Sequence, residues 1–61
     1  MLERIKRICK LRGISVSELE KNSGLSPNSI YKWDESAPSI TKVVRVADIL
    51  GVTVDYLIRG D

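Results

Sequence analysis

Residues 16–33 decide the fold, and they read VSELEKNSGLSPNSIYKW. Two short helical patterns lie on either side of residues 24–26. Gly24 can adopt the left-handed conformation that ends a helix. Ser26 can cap the next helix, and Pro27 suits the first turn of that helix, where no backbone donor is needed. The stretch therefore predicts two helices joined by a three-residue turn.

Length and composition exclude several classes of protein. The chain has 61 residues, of which 43% are hydrophobic and 30% charged, so we predict one globular domain over residues 1–61. No apolar run approaches the roughly 20 residues of a membrane helix, and no signal peptide is evident. A single cysteine, Cys9, cannot form an internal disulfide, so a reducing cytoplasm is the simplest compartment.

The sequence shows no recognisable catalytic pattern. It has no histidine, and it shows no nucleophile-base pair, metal-ligand cluster or phosphate-binding loop. We therefore expect no enzyme activity, no metal, no cofactor, no small-molecule substrate and no membrane partner.

Helical periodicity and capping signals extend along the whole chain. Ser15 and Glu18 form a capping-box pattern, Ser39 and Thr53 can each cap a later helix, and the four glycines are typical of helix ends. We predict an all-α fold of five short helices, over residues 2–12, 16–23, 27–33, 40–50 and 54–59.

The predicted third helix has two different faces. When the residues are projected at 100° each, Ile30 and Trp33 point toward the core, whereas the opposite face carries Asn28, Tyr31 and Lys32. The remaining two residues, Pro27 and Ser29, lie at the borders between these faces.

Charge alone does not identify a partner, because the net charge is only +2. Residues 2–12 carry five basic residues against the single acidic Glu3. This run is either a solvated helix face or part of a contact surface.

The polar face of the third predicted helix suits DNA. A DNA-reading helix-turn-helix lays its second helix in the major groove. Asn28 can bond adenine and Lys32 can donate to guanine, and their i, i+4 spacing would let both face one groove. Tyr31 can reach a phosphate, and Ser29 can reach a base edge or a phosphate. The starts of helices two and four would add phosphate contacts. The residues there are Ser15, Ser17, Ser36, Ser39 and Lys42.

The alternative is that these are ordinary exposed side chains. A resemblance favours DNA binding, and it rests on residues 12–15, Leu19, and residues 24–26, 30–34, 38–40, 46–52 and 54–58. With them, residues 5–60 resemble the Cro/λ-repressor-type helix-turn-helix family, also called XRE-like. The resemblance implies a five-helix domain that binds operator DNA as a transcriptional regulator, usually as a dimer on a near-palindromic site. Many members are phage or prophage repressors or Cro-like proteins.

The resemblance also implies which residues touch DNA. Val16, Pro27, Asn28 and Lys32 fall where members often touch bases, and Ser29 falls at a frequent base or phosphate contact. Val16 replaces a common glutamine, so its contact could only be apolar.

Other departures concern the framework of the domain. Glu20 replaces a small alanine, and we expect its side chain to extend out of the helix junction. Cys9 and Asp34 stand where many members have a buried arginine-glutamate pair, which cannot form here. The loop over residues 35–37 is shorter than usual and lacks the glycine and basic residues that often contact phosphate.

We expect a homodimer on double-stranded DNA, with half-sites about 34 Å apart. Tyr56 and Ile58 either form the interface of this dimer or cover the edge of the core. Two alternatives stay open: a protein-interaction module of regulator or antitoxin type on the same fold, and the N-terminal DNA-binding part of a longer repressor.

Overall fold

The computed structural model describes residues 1–60, which form four α-helices and one 3-10 turn. In chain order these elements are α1 (Leu2–Arg12), α2 (Val16–Asn22), the 3-10 turn (Ile30–Lys32), α3 (Ile40–Leu50) and α4 (Val54–Arg59). No strand occurs among residues 1–60, so the predicted all-α fold is confirmed. The predicted count of five helices is wrong by one. Asp61, the last residue of the predicted domain, lies outside the described residues.

Side-chain caps begin three of the helices where the sequence predicts them. The Ser15 hydroxyl accepts from the backbone N–H of Glu18 at 3.0 Å, and the Glu18 carboxylate accepts from the N–H of Ser15 at 3.2 Å. This reciprocal pair satisfies two backbone donors that the helix itself leaves free. Thr53 caps α4 by accepting from Tyr56 N at 3.0 Å.

The core forms where one face of each helix meets its neighbour: α1 packs on α2, α2 on α3, and α3 on α4. Ile30 and Trp33 bring the 3-10 turn into the same core. The buried apolar residues are Ile5, Ile8, Cys9, Leu19, Ile30, Trp33, Val43, Val46, Ala47, Leu50 and Leu57. Burial of this apolar area is the main term that stabilises the fold.

The predicted α-helix over residues 27–33 is wrong. The backbone there forms i to i+3 bonds, from Lys32 N to Ser29 O at 3.1 Å and from Trp33 N to Ile30 O at 3.1 Å, which are bonds of a 3-10 helix. Asn28 has φ +66°, a left-handed conformation that interrupts a right-handed helix. The α-helix therefore cannot begin at Pro27, and only one turn forms.

Two arginines of the basic run on α1 cover the carboxyl ends of other helices. Arg4 Nη1 donates to the carbonyl oxygen of Leu57 in α4 at 3.2 Å. The Arg12 guanidinium lies 3.4 Å from the point where a Cβ on Gly51, at the end of α3, would be. Cations are favourable at helix carboxyl ends. Arg4 therefore acts within the fold, whereas Arg12 is exposed beside the end of α3.

Cys9 is 2% exposed in the core, and burial raises the pKa of its thiol above the ordinary value of 9.0. Because the unfolded thiol ionises at lower pH than the folded one, stability from the neutral thiol is present below pH 9.0 and is lost as pH rises above it. We expect the free energy of unfolding of the parent protein to fall relative to Cys9→Ala across this range. Urea unfolding of both proteins between about pH 8 and about pH 10.5 measures it, and parallel curves would contradict the burial of the thiol.

Candidate nucleic-acid interface

The segment over residues 26–33 has one face in the core and one in solvent. Ile30 is 0% and Trp33 6% exposed. Asn28, Tyr31 and Lys32 are exposed. The predicted division of faces is confirmed although the helix type is wrong, because residues three apart share a face in both kinds of helix. The i, i+4 argument for Asn28 and Lys32 is wrong, however, since these residues are not on one α-helix.

A groove between this segment and the start of α3 collects five of the predicted DNA contacts. They are Pro27, Ser29, Lys32, Ser36 and Lys42. The groove has two exposed lysines and no acidic residue in its lining, so its charge is positive. The hydroxyl of Ser29 donates to the carbonyl oxygen of Ser26 at 2.7 Å, which leaves its oxygen free only as an acceptor.

Pro27 also borders a second groove, on the side of α2. Ser17, Lys21 and Leu25 line it too, so Ser17 lies beside the 26–33 segment as the helix pair predicts. Val16, at the start of α2, is half-buried and packs against the core. Only part of its side chain is therefore available for an apolar contact.

Two more predicted phosphate contacts, Ser15 and Ser39, lie at helix starts outside these grooves. Ser15 is exposed and carries the α2 cap described above. Ser39 is exposed, and its hydroxyl accepts from Lys42 N at 3.4 Å. Each oxygen is therefore engaged in its own helix while its hydroxyl proton remains free to donate.

Tyr31 lies against α1. The Nζ of Lys6 is 5.6 Å from the centre of the Tyr31 ring, within the range of a cation–π contact, and it lies 3.8 Å from Glu3 Oε1. The sequence left the role of the basic run open, and it carried no signal that Lys6 reaches this site. The contact places one cation of α1 beside the polar face of the 26–33 segment.

The expectation that Glu20 extends out of the helix junction is wrong. Glu20 is only 3% exposed. Its Oε1 accepts from Asn28 N at 3.0 Å and its Oε2 accepts from Ile30 N at 3.1 Å. These bonds satisfy two backbone donors, which is why the carboxylate turns inward. The only signal in the sequence was the unusual residue type at this position.

Cys9 and Asp34, at the positions of the family's usual ion pair, lie in different environments. Cys9 is buried, and Asp34 is exposed. Asp34 Oδ1 instead lies 3.4 Å from the amino nitrogen of Met1 and 3.5 Å from the backbone nitrogen of Leu2. Asp34 thus meets the first turn of α1, where a negative charge is favourable.

The predicted dimer residues differ in exposure. Ile58 is 52% exposed, whereas Tyr56 is half-buried and packs against the core. Ile58 is therefore the more available of the pair, and the interface stays a prediction.

Residues 1–60 contain no group of three or more histidine, cysteine, aspartate or glutamate residues that could hold a metal ion. None of the four α-helices is long and apolar enough to cross a membrane.

A helix, a tight turn and an exposed polar segment over a buried apolar pair define a helix-turn-helix protein. A family model described as helix-turn-helix matches residues 5–57, which is most of the chain. The chain belongs to the Cro/XRE-like helix-turn-helix family. This is a family of DNA-binding regulators rather than enzymes, and the chain is a DNA-binding helix-turn-helix regulator. Neither curated proteins nor solved structures gave a match to the chain.

Proposed function

We propose that this chain, as one domain over residues 1–61, is a sequence-specific transcriptional regulator of the phage or prophage repressor or Cro-like type. It acts in the bacterial cytoplasm on a near-palindromic operator. One observation carries the proposal: the polar face of the 26–33 segment stands exposed beside a groove that holds Lys32 and Lys42. A segment anchored on one side by Ile30 and Trp33 can present its other side to the major groove with little loss of entropy on binding.

Base reading falls to this segment together with Val16 of α2. Lys32 donates to the acceptors of guanine, and Asn28 makes paired hydrogen bonds with adenine. Pro27 and Val16 make apolar contacts with thymine methyl groups. Ser29, with its hydroxyl proton already donated to Ser26, acts as an acceptor toward a base amino group.

Phosphate contacts surround the base readers and fix the orientation of the protein on the duplex. Lys42 and Ser36 reach one strand from the groove at the start of α3, and Ser15 and Ser17 act at the start of α2. Tyr31 and Ser39 complete the set. Lysine contacts to phosphate release counterions, so we expect affinity to fall steeply with salt.

Two copies of the chain would bind two half-sites. In the proposed dimer Ile58, which is 52% exposed, packs against its counterpart, with Tyr56 beside it. The two 26–33 segments then lie about one helical turn of DNA apart, roughly 34 Å.

A second candidate function is a protein-interaction module on the same fold. The observation that favours it is the exposed pair Ile40 and Val44 on α3, at 63% and 40% exposure and one helical turn apart. Exposed apolar side chains on one helix face suit a protein surface better than they suit DNA.

Selection of bound duplexes from a random DNA pool separates the two functions. A regulator is expected to enrich one sequence with two related half-sites, and its affinity should fall with salt in proportion to the phosphates neutralised. A pool that stays random after repeated rounds would contradict sequence-specific binding and would favour the protein-interaction module.

A further inference from the structure

Glu20 is a charged residue buried without a charged partner. It is 3% exposed. The ion pairs described among residues 1–60 join Met1 with Asp34 and Lys6 with Glu3. The Glu20 carboxylate instead has two backbone donors as partners, the N–H groups of Asn28 at 3.0 Å and of Ile30 at 3.1 Å. Burial of a charge is costly unless hydrogen bonds compensate it, so these two bonds determine where the carboxylate lies.

The two bonds in turn determine the backbone of the 26–33 segment. A carboxylate is a rigid planar group, and when its two oxygens bind two N–H groups the relative position of these donors is set. Asn28 lies at one end of this bridge with φ +66°, the only positive φ of a residue other than glycine within residues 1–60. Asparagine tolerates this conformation but does not require it. The charge-assisted bond to its N–H therefore stabilises a conformation that the residue type alone leaves open.

The direction of the reading side chains depends on this backbone. Ile30 is held in the core on one side of the bridge, and the side chain of Asn28 leaves from the other side into solvent. The same bonds occupy two amides at the start of the segment, which are therefore not offered to a phosphate.

We propose that Glu20 is a positioning residue for DNA reading: its carboxylate holds the Asn28–Ile30 backbone so that the exposed side chains meet base edges in one fixed arrangement. This inference rests on the proposed function. Readers held in one geometry discriminate between bases more sharply than mobile ones, because little freedom is lost on the correct sequence.

Two substitutions of Glu20 separate its chemistry from its size. Glu20→Gln keeps the length of the side chain but replaces one acceptor oxygen by an amide NH2 group. This donor then faces a backbone N–H, which is also a donor, so one hydrogen bond is lost. Glu20→Asp keeps the charge but is one methylene shorter, so it cannot bind both N–H groups. The control is Asp48→Asn, which makes the same carboxylate-to-amide change on an exposed side chain of α3.

The first measurement is the amide spectrum of the free, nitrogen-15-labelled proteins. We expect the resonances of Asn28 and Ile30 to move in Glu20→Gln and to stay in Asp48→Asn. The second measurement is the ratio of affinities for the selected operator and for a scrambled duplex at one salt concentration. We expect this ratio to fall about fivefold or more in Glu20→Gln, the lower end of the effect of one bidentate base contact, while scrambled duplex binds equally to both variants.

Each outcome decides the role of Glu20. Moved amides with an unchanged ratio would overturn the inference, since Glu20 would then support the fold alone, and unmoved amides would overturn the bridge itself. If Glu20→Gln does not fold, Glu20→Asp carries both measurements against the parent protein, with the same expectations. A parent protein that shows no preference for any sequence would instead overturn the proposed function, while the amide measurement would still test the bridge.

Discussion

Ile30→Ala is expected to remove much of the stability of the domain. Ile30 is fully buried, and it anchors a segment whose only regular structure is the turn Ile30–Lys32. Truncation of a buried isoleucine to alanine costs about 2–5 kcal/mol, because apolar contacts are lost and a cavity is left behind. A domain of this length has a total stability of about 3–9 kcal/mol. Urea unfolding followed by circular dichroism measures the loss.

Ile40→Ala is the matched control for this experiment. Ile40 is the same residue type at 63% exposure, so its truncation should change the free energy of unfolding by no more than about 0.5 kcal/mol. If the two variants were equally stable, the 26–33 segment would not be held in the core by Ile30.

Lys32→Ala is expected to have the largest effect on DNA binding. Lys32 is exposed on the 26–33 segment and also lines the groove beside α3. Loss of a lysine that donates to a base should cost about 1–3 kcal/mol of binding free energy and relax specificity at one position of each half-site. The variant should fold as the parent protein does, since the side chain of Lys32 is exposed.

Lys10→Ala is the control for charge. Lys10 is an exposed lysine in the last turn of α1, outside the groove that Lys32 lines. Its removal lowers the net charge by the same amount and should weaken binding to all duplexes slightly and equally. Equal behaviour of the two variants on every duplex would show that Lys32 contributes only charge.

The helices that could be predicted from sequence are those with a local signal at one end or at both. Gly13, with φ +70°, follows the last residue of α1. Ser39 caps the start of α3, and Gly51, with φ +71°, follows its last residue. A cap or a left-handed glycine acts within one turn of the chain. For that reason neighbouring residues are enough to locate these helix ends.

The third element could not be predicted, because its conformation depends on a residue outside it. Ser26 and Pro27 are good signals for the start of an α-helix. Glu20, which lies eight residues before Asn28, overrides these signals. Its carboxylate accepts hydrogen bonds from the backbone N–H groups of Asn28 and Ile30. No local pattern indicates that a glutamate will turn inward and bind backbone donors at that distance.

The exposed face of the candidate site could be predicted from the sequence, whereas its contacts with other helices could not. Ile30 and Trp33 are large and apolar, so the face opposite them had to be the exposed one. The groove that joins Lys32 to Lys42, and the approach of Lys6 to the Tyr31 ring at 5.6 Å, arise from the packing of separate helices. Such contacts have no counterpart in the spacing of residues along the chain.

If the 26–33 segment reads base sequence, the affinities of the parent protein and Lys32→Ala will show it when both are measured for the selected operator and for every single-base-pair variant of it. We expect Lys32→Ala to lose discrimination at one base pair in each half-site and to keep it at the others. A uniform loss across all variants, or the same discrimination in both proteins, would contradict it.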